Sequence, residues 1–253
     1  MQEFIDKIII EAGALAMVYY EKGVTSSVKT GHHDLLTEAD TVVSNFLVDK
    51  IHAEFPDHHI YSEEMAVDIN PGAEYEWVID PIDGTWSFAN HVPVWGSLIA
   101  VQERGETKYA AAYFPIDDFF YLAQKGQGAF CNGNRIAVST HPTLELAACS
   151  VSVGQTNAAS EKLAQLWTKL YEKRARFRNY ACMYGAVMAA SEKLDLFVTN
   201  MGKDHDYLTP ALIGREAGAM VTNAKGEEWQ RGMEDFMIAS PAIHFELMKL
   251  LAV

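Results

Sequence analysis

The 253-residue chain predicts an α/β (α+β) fold, with an antiparallel sheet in its first half and a mixed sheet in its second. Three observations carry that expectation. Two amphipathic helical stretches open the chain. From Gly96 to about Val138 the local signals are all β. After residue 150 short apolar runs alternate with helical patterns, as when helices lie on a mixed sheet. The expected division is an N-terminal α+β half at 1–140 and a C-terminal α/β half at 141–253, joined by a connection at 139–148.

Residues 3–21 carry Phe4, Ile5, Ile8, Ile9, Ala12, Leu15, Ala16 and Tyr19 at helical spacing. Residues 23–36 read as loop or a short strand pair. A second helix opens at Thr37-Glu38-Ala39-Asp40, buries Val42, Val43, Phe46, Leu47, Ile51 and Phe55, and stops at Pro56. His59 to Ser62 is a short strand leading to Glu63-Glu64. Trp77-Val78-Ile79 is a buried strand that ends at Asp80, and a helix start follows Thr85. Ser97 to Gln102 is a strand. Tyr109 to Phe114 and Phe119 to Ala123 form a hairpin around Pro115-Ile116-Asp117-Asp118, and Ile136 to Val138 closes the sheet. The second half reads as strand (150–153), helix (158–173), helix (181–192), strand (194–199), helix (207–217), strands (219–223 and 236–239) and helix (241–252).

The formal net charge is −14, which disfavours the clustered Lys and Arg needed to bind a nucleic-acid backbone. It suits an acidic site offset by cations and equally suits solubility. Three cysteines, Cys131, Cys149 and Cys182, match neither a disulfide framework nor a zinc spacing. The N-terminal stretch lacks a basic n-region, and no apolar run approaches a membrane span. These features predict a cytoplasmic protein with no membrane or nucleic-acid partner. The basic run Lys169, Lys173, Arg174, Arg176 and Arg178 reads as a solvent-facing helix C-terminus, His58-His59 as surface, and the methionines as core filler.

Residues 76–98 hold the chemistry. A strand tip delivers Asp80 and Asp83, and Gly84-Thr85 opens a helix. Carboxylates gather hard cations, which take about six oxygens. A helix N-terminus offers free N–H groups to an anion. The turn at Pro81-Ile82 can aim the Ile82 carbonyl at the same ion. Further carboxylates belong where strands end or helices begin, as Glu63, Glu64 and Asp206 do. Each has a second reading. Glu63-Glu64 also suits a solvated loop, Asp206 a helix N-terminus contested by Asp204, and Asp40 a capping box with Thr37. Gly126-x-Gly128 is not a dinucleotide fingerprint. No Walker loop, Gly-x-Ser-x-Gly elbow or EF-hand spacing occurs.

Trp77-Val-Ile-Asp-Pro-Ile-Asp-Gly-Thr85, followed by Phe88 and Pro93, closely resembles the signature of the inositol monophosphatase family, Mg²⁺-dependent and lithium-sensitive phosphatases. Asp34-Leu-Leu-Thr37-Glu-Ala-Asp40, Tyr61-Ser-Glu63-Glu64, Gly126-x-Gly128-Ala-Phe-x-Asn132-Gly133, and Asp206 with Glu216-Ala-Gly218-Ala resemble its other segments in order and spacing. The resemblance implies a layered αβαβα sandwich, a homodimer and two to three Mg²⁺ ions. It assigns Glu63, Asp80 and the Ile82 carbonyl to one metal, and Asp80, Asp83 and Asp206 to another. By the same resemblance a third ion would sit near Glu63. Asp83, Gly84, Thr85 and Asp206 would face the substrate, with Gly84 and Thr85 presenting backbone N–H groups to phosphate. Asp40 would pair with the Thr85 hydroxyl, and Lys29 would sit near the phosphate.

The implied reaction is hydrolysis of a small phosphate monoester such as inositol 1-phosphate, without a phosphoenzyme. Glu63 and the Asp40–Thr85 pair orient a water and take its proton. Activity is expected to fall in acid, as protons compete with the metal.

The chain departs from the family at three places. His205 stands where a Trp usually precedes the metal-binding Asp, either filling that space or touching substrate. Asn179 to Gly185 replaces a Gly-Ser-Ala-Ala stretch. The acidic residue that grips inositol falls near Thr199 or Asn200, which are not acidic. Pro93 to Ile99 and Tyr184-Gly185 look nearer the histidinol-phosphate phosphatase branch. Histidinol phosphate, a sugar bisphosphate, a nucleotide phosphate and a non-catalytic binding role therefore stay open.

Overall fold

The computed structural model describes residues 1–28, 35–154, 160–180 and 182–252. Helix α1 (Gln2–Lys22) turns Ile5, Ile8, Ile9, Ala12 and Ala16 inward, the spacing of one helical face. Strands β1 (Ser26–Val28) and β2 (Leu35–Thr37) pair antiparallel. Helix α2 (Glu38–Glu54) starts at a capping box: Thr37 and Asp40 satisfy each other's backbone N–H groups.

The first large sheet holds β3 (His59–Ser62), β4 (Tyr75–Asp83), β5 (Gly96–Glu103), β6 (Glu106–Phe114), β7 (Phe119–Gln124), β8 (Gly128–Cys131) and β9 (Asn134–Arg135), in that spatial order. A five-residue helix, α3 (Thr85–Ala89), follows β4. Strand period two splits the side chains between two cores. Trp77, Ile79, Ile99, Val101 and Ala111 meet α1 and α2. Val78, Leu98, Ala100, Ala110 and Ala112 face the opposite core. Burial on both faces explains why these strands read as continuous apolar runs.

The second half contributes β10 (Ala148–Ser152), α4 (Ser160–Glu172), β11 (Arg176–Phe177), α5 (Tyr184–Ala190), β12 (Leu196–Thr199), α6 (Asp204–Glu216), β13 (Met220–Thr222), β14 (Phe236–Ala239) and α7 (Pro241–Leu251). The sheet order is β11-β10-β12-β14-β13, parallel across the first three strands and antiparallel beyond. Helices α5 and α6 fill the space between the sheets, where Phe197, Tyr207, Leu212 and Phe236 meet Val78 and Leu98. Helices α4 and α7 cover the outer face through Leu163, Leu166, Leu170, Ile243 and Leu247. The layers run αβαβα, as expected. No described helix is long and apolar enough to cross a membrane.

Several local expectations need correction. The first sheet is not wholly antiparallel, because β3 runs parallel to β4. The closing strand is Asn134–Arg135, not 136–138, because the Val138 N–H leaves the sheet for the Ala217 carbonyl at the end of α6. The basic run begins at a helix C-terminus, as expected, with Lys169 in the last turn of α4, but it continues past the helix: α4 stops at Glu172, and Arg176 lies in edge strand β11. His58 is not surface filler. Its Nδ1 accepts from Trp77 Nε1 at 3.0 Å, and its ring stacks on both Phe55 and Tyr75. His59 is also largely covered, with Asp68 at 2.9 Å and Glu76 at 3.4 Å. Helix α6 begins at Asp204 rather than 207, so Asp206 sits in its first turn.

Candidate active site

Residues three apart on a regular strand point to opposite faces. Asp80 and Asp83 are three apart on β4, yet their carboxylates converge. The reason is a bulge. Asp80 pairs with Leu98 and Asp83 with Gly96, so β4 carries one extra residue over that interval. Ser97 Oγ, donating to the Pro81 carbonyl at 2.7 Å, holds the bulge in place. Gly84 then takes a left-handed turn, φ +89°. A Cβ there would stand 3.1 Å from both the Val94 carbonyl and the Cys182 Cβ, so only glycine fits without strain.

Asp80, Asp83 and Asp206 each bring a carboxylate oxygen within 4.8 Å of the others. Asp80 is 1% exposed, and its Oδ1 has no hydrogen-bond partner among the described residues. Asp83 Oδ2 accepts from the Met183 N–H at 2.8 Å. Asp206 Oδ2 accepts from the Lys203 N–H at 2.6 Å, and its side chain is 18% exposed. Burial first, then the charges of Glu63, Asp83 and Asp206, push the Asp80 carboxyl well above its ordinary range. Burial and Asp206 do the same to Asp83, against the opposing Met183 N–H. Burial raises Asp206 as well, opposed chiefly by His205.

The two readings of Asp206 and Asp204 separate cleanly. Asp204 is structural: it accepts from Arg231 Nε at 3.1 Å and from the Gly232 N–H at 2.8 Å. Arg231 also grips Glu76 of β4 with both terminal nitrogens, tying α6 to the first sheet. Asp206 turns inward to the cluster.

Glu63 lies just past β3, its N–H continuing the ladder to the Ile79 carbonyl at 3.0 Å. It stands outside the three-carboxylate set, with Oε2 3.9 Å from His205 Nε2. Asp40 serves both of its expected roles, because a carboxylate has two oxygens. Oδ2 accepts from the Thr37 N–H at 2.7 Å and hydroxyl at 2.5 Å, and Oδ1 from the Thr85 hydroxyl at 3.1 Å. The Thr85 hydroxyl is equally near the Ile82 carbonyl, at 3.1 Å. Lys29 and Asp34 lie outside the described residues.

His205 is 4% exposed, so it fills its space, and it also faces the cluster. Nε2 lies 3.4 Å from Asp206 Oδ2, while Nδ1 lies 3.1 Å from the Tyr61 hydroxyl. Ionised carboxylates only accept hydrogen bonds. The proton of a neutral His205 therefore belongs on Nε2, and Tyr61 donates to Nδ1. Burial and the nearby carboxylates raise the Tyr61 pKa, which keeps that proton in place.

Sequence reasoning missed the Met183 N–H, the Ser97 hydroxyl and Tyr61. A backbone donor has no side-chain signature, and nothing in the spacing announces Ser97. A cavity of about 130 Å³ leads from Asp83, Gly84 and Asp206 toward Ser152 and Thr199.

The model of the inositol monophosphatase family matches residues 1–252. The chain belongs to the inositol monophosphatase family. It is 32% identical to a fructose-1,6-bisphosphatase/inositol-1-monophosphatase of Thermotoga maritima, over 98% of this chain and 94% of that one. It is 29% identical to a putative Nus factor SuhB of Neisseria meningitidis, over 93% and 92%. A solved structure of a Thermotoga maritima IMPase superposes with a TM-score of 0.89 at 29% identity, covering 99% of this chain and 96% of that one.

Proposed function

We propose that this protein is a Mg²⁺-dependent phosphatase that hydrolyses a small phosphate monoester. The observation that carries the reading is the convergence of three buried or half-buried carboxylates, one with an orphaned oxygen. Such a cluster repels itself unless protons or cations occupy it. Its donors are all oxygen, the set that suits a hard divalent ion. Asp80, Asp83 and Asp206 would hold Mg²⁺, joined by Glu63 and the Ile82 carbonyl, for two to three ions by family resemblance. Bound there, Mg²⁺ supplies Lewis acidity toward phosphoryl oxygens and lowers the pKa of a water.

The remaining work falls to the chain. The Thr85 hydroxyl donates to Asp40, which leaves its lone pairs free to accept from a water and orient it. Glu63, beside the cluster, accepts that water's proton. Gly84 and Thr85 present backbone N–H groups to the nonbridging phosphate oxygens; a first helical turn leaves such groups unpaired. Water oxygen bonds to phosphorus, the phosphorus–alcohol bond breaks, and the alcohol oxygen takes a proton. Cys182 is no rival nucleophile, because burial and Asp83 hold its thiol well above the range in which it ionises. A homodimer and a cytoplasmic location complete the proposal, both on family resemblance and sequence.

Turnover of a panel of phosphomonoesters with Mg²⁺ near neutral pH tests this, with Asp83→Asn as control. Release of phosphate that the substitution abolishes supports it. Undiminished release by Asp83→Asn refutes it. A second reading, a role without catalysis, draws on the relative named a putative Nus factor SuhB. It predicts Mg²⁺ binding with no turnover of any ester.

A further inference from the structure

A capping box needs one bond in each direction between its two residues, and the box at Thr37 and Asp40 carries one more. Asp40 Oδ2 accepts from the Thr37 N–H at 2.7 Å, the ordinary reciprocal bond. The Thr37 hydroxyl accepts from the Asp40 N–H at 3.4 Å and also donates to the same Oδ2 at 2.5 Å. That last bond is the shortest of the three, and a helix start does not require it. Thr37 and Asp40 are 2% and 1% exposed, so both are shielded from bulk water.

Two donors on one oxygen set the plane of a carboxylate that a single donor lets swing. Both come from a residue that cannot follow a swing: the N–H is backbone, and a threonine hydroxyl has few χ1 positions. Oδ1 is thereby held toward Thr85, whose hydroxyl donates to it at 3.1 Å. The same hydroxyl has a second acceptor in the Ile82 carbonyl, also at 3.1 Å. With the two distances equal, a small swing of Oδ1 decides which acceptor takes the proton. A hydroxyl carries one proton and two lone pairs. The acceptor chosen therefore also sets where the Thr85 lone pairs point.

We propose that Thr37 is a positioning residue of the hydrolysis. Its hydroxyl fixes the Asp40 carboxylate so that Thr85 gives its proton to Asp40 and not to Ile82, which leaves the Thr85 lone pairs facing the attacking water. Thr37 works entirely through Asp40 and Thr85. This inference rests on the phosphomonoesterase reading above.

Steady-state kinetics of a few variants in the Mg²⁺-loaded protein test it. Thr37→Val keeps the shape and the backbone N–H but removes the hydroxyl. It should lower kcat about tenfold or more, the scale of losing a group that orients a site ligand, and leave KM within about twofold. Thr37→Ser keeps the hydroxyl and should restore most of kcat. Thr85→Ala and the double variant Thr37→Val/Thr85→Ala should share one kcat, because a residue that acts through Thr85 has nothing left to act on. If valine at the cap does not fold, Thr37→Cys, of similar size with only a weak donor, carries the same comparison. A Thr37→Val protein that melts lower yet keeps the natural kcat overturns the proposal and leaves Thr37 a helix cap. Losses that multiply in the double variant overturn it too. If the natural chain turns over no ester, the phosphatase reading falls and melting temperatures decide the rest. Non-additive losses for Thr37→Val and Thr85→Ala then sustain the link through Asp40, and additive losses overturn it.

Discussion

Asp80→Asn is expected to yield a protein that is more stable than the natural chain without metal and that gains almost nothing from Mg²⁺. The carboxylate oxygens of Asp80, Asp83 and Asp206 lie within 4.8 Å of one another. At that separation, and at an effective dielectric constant near 20, two unit charges repel by about 3.5 kcal/mol. Asp80 faces two such neighbours, about 7 kcal/mol if all were ionised. That rivals the whole stability of a typical domain, roughly 5–15 kcal/mol. The metal-free cluster therefore sheds charge by holding protons, consistent with the raised pKa values of Asp80 and Asp83. Protonation caps the repulsion that asparagine can relieve, and what remains is its amide N–H, a donor to the neighbouring carboxylates that needs no proton uptake, about 1–3 kcal/mol. For a chain of this size that is a rise of about 3–10 °C in melting temperature.

The pH dependence has a definite sign. Carboxyls with raised folded-state pKa values bind more protons folded than unfolded. Their contribution to stability is intact below the unfolded value near 3.8 and is lost as pH rises through the folded values. The advantage of Asp80→Asn should therefore be small in acid and grow toward and beyond neutrality. Thermal melts in EDTA across that range, repeated with saturating Mg²⁺, read it directly. The natural chain should gain about 3 kcal/mol from Mg²⁺ at a hundredfold excess over its Kd. An Asp80→Asn protein that melts below the natural one in EDTA at neutral pH, or that gains equally from Mg²⁺, would refute the reasoning.

Tyr61→Phe removes the donor to His205 Nδ1 and should weaken Mg²⁺ binding about tenfold, the scale of losing a group that orients a metal ligand. Calorimetric titration measures it, and kcat at saturating Mg²⁺ should stay within a few-fold. Thr85→Ala deletes the hydroxyl that links Asp40 to the site. It should lower kcat by about 10²-fold or more with little change in KM in steady-state assays. Gly84→Ala places a Cβ 3.1 Å from the Val94 carbonyl at φ +89° and should cost about 1–3 kcal/mol in urea unfolding. Activity should fall in acid, and raising Mg²⁺ should move that acidic limb to lower pH, because protons and cations compete for the same raised carboxyls.

The parts legible in the sequence are those with a local pattern. The stripe Ile5, Ile8, Ile9, Ala12 and Ala16 predicts α1, and the unbroken apolar run Trp77, Val78 and Ile79 predicts a buried strand. The illegible parts depend on pairing at a distance. Strand β11 is two residues long and exists only because Ala148 and Cys149 lie beside it. The parallel alignment of β3 with β4 is set by a crossover that no local residue encodes. His58 looks like surface until Trp77 needs an acceptor for its indole N–H. At the site, Asp80, Asp83 and Asp206 are visible as acids at element ends. What fixes each of them was not visible, because Ser97, Met183 and Lys203 act through one hydroxyl and two backbone N–H groups.

Those fixings explain how a self-repelling cluster persists in a folded chain. Asp80 and Asp83 come from the first sheet, whereas Asp206 and the Met183 N–H come from the helices between the sheets. Bringing them together opposes charge repulsion with the apolar core that Val78, Leu98, Phe197, Tyr207 and Phe236 share. Arg231 bridges Glu76 and Asp204 beside that core, and Glu216, at the far end of α6, accepts from the Gly126 and Gly128 N–H groups at 2.7 and 2.8 Å. Helix α6 is thus clamped at both ends to the first sheet, and Asp206 cannot retreat from Asp83 without breaking one clamp. A site held this way keeps its carboxylates close before any cation arrives. The binding energy of the cation then goes to displacing protons rather than to moving the chain.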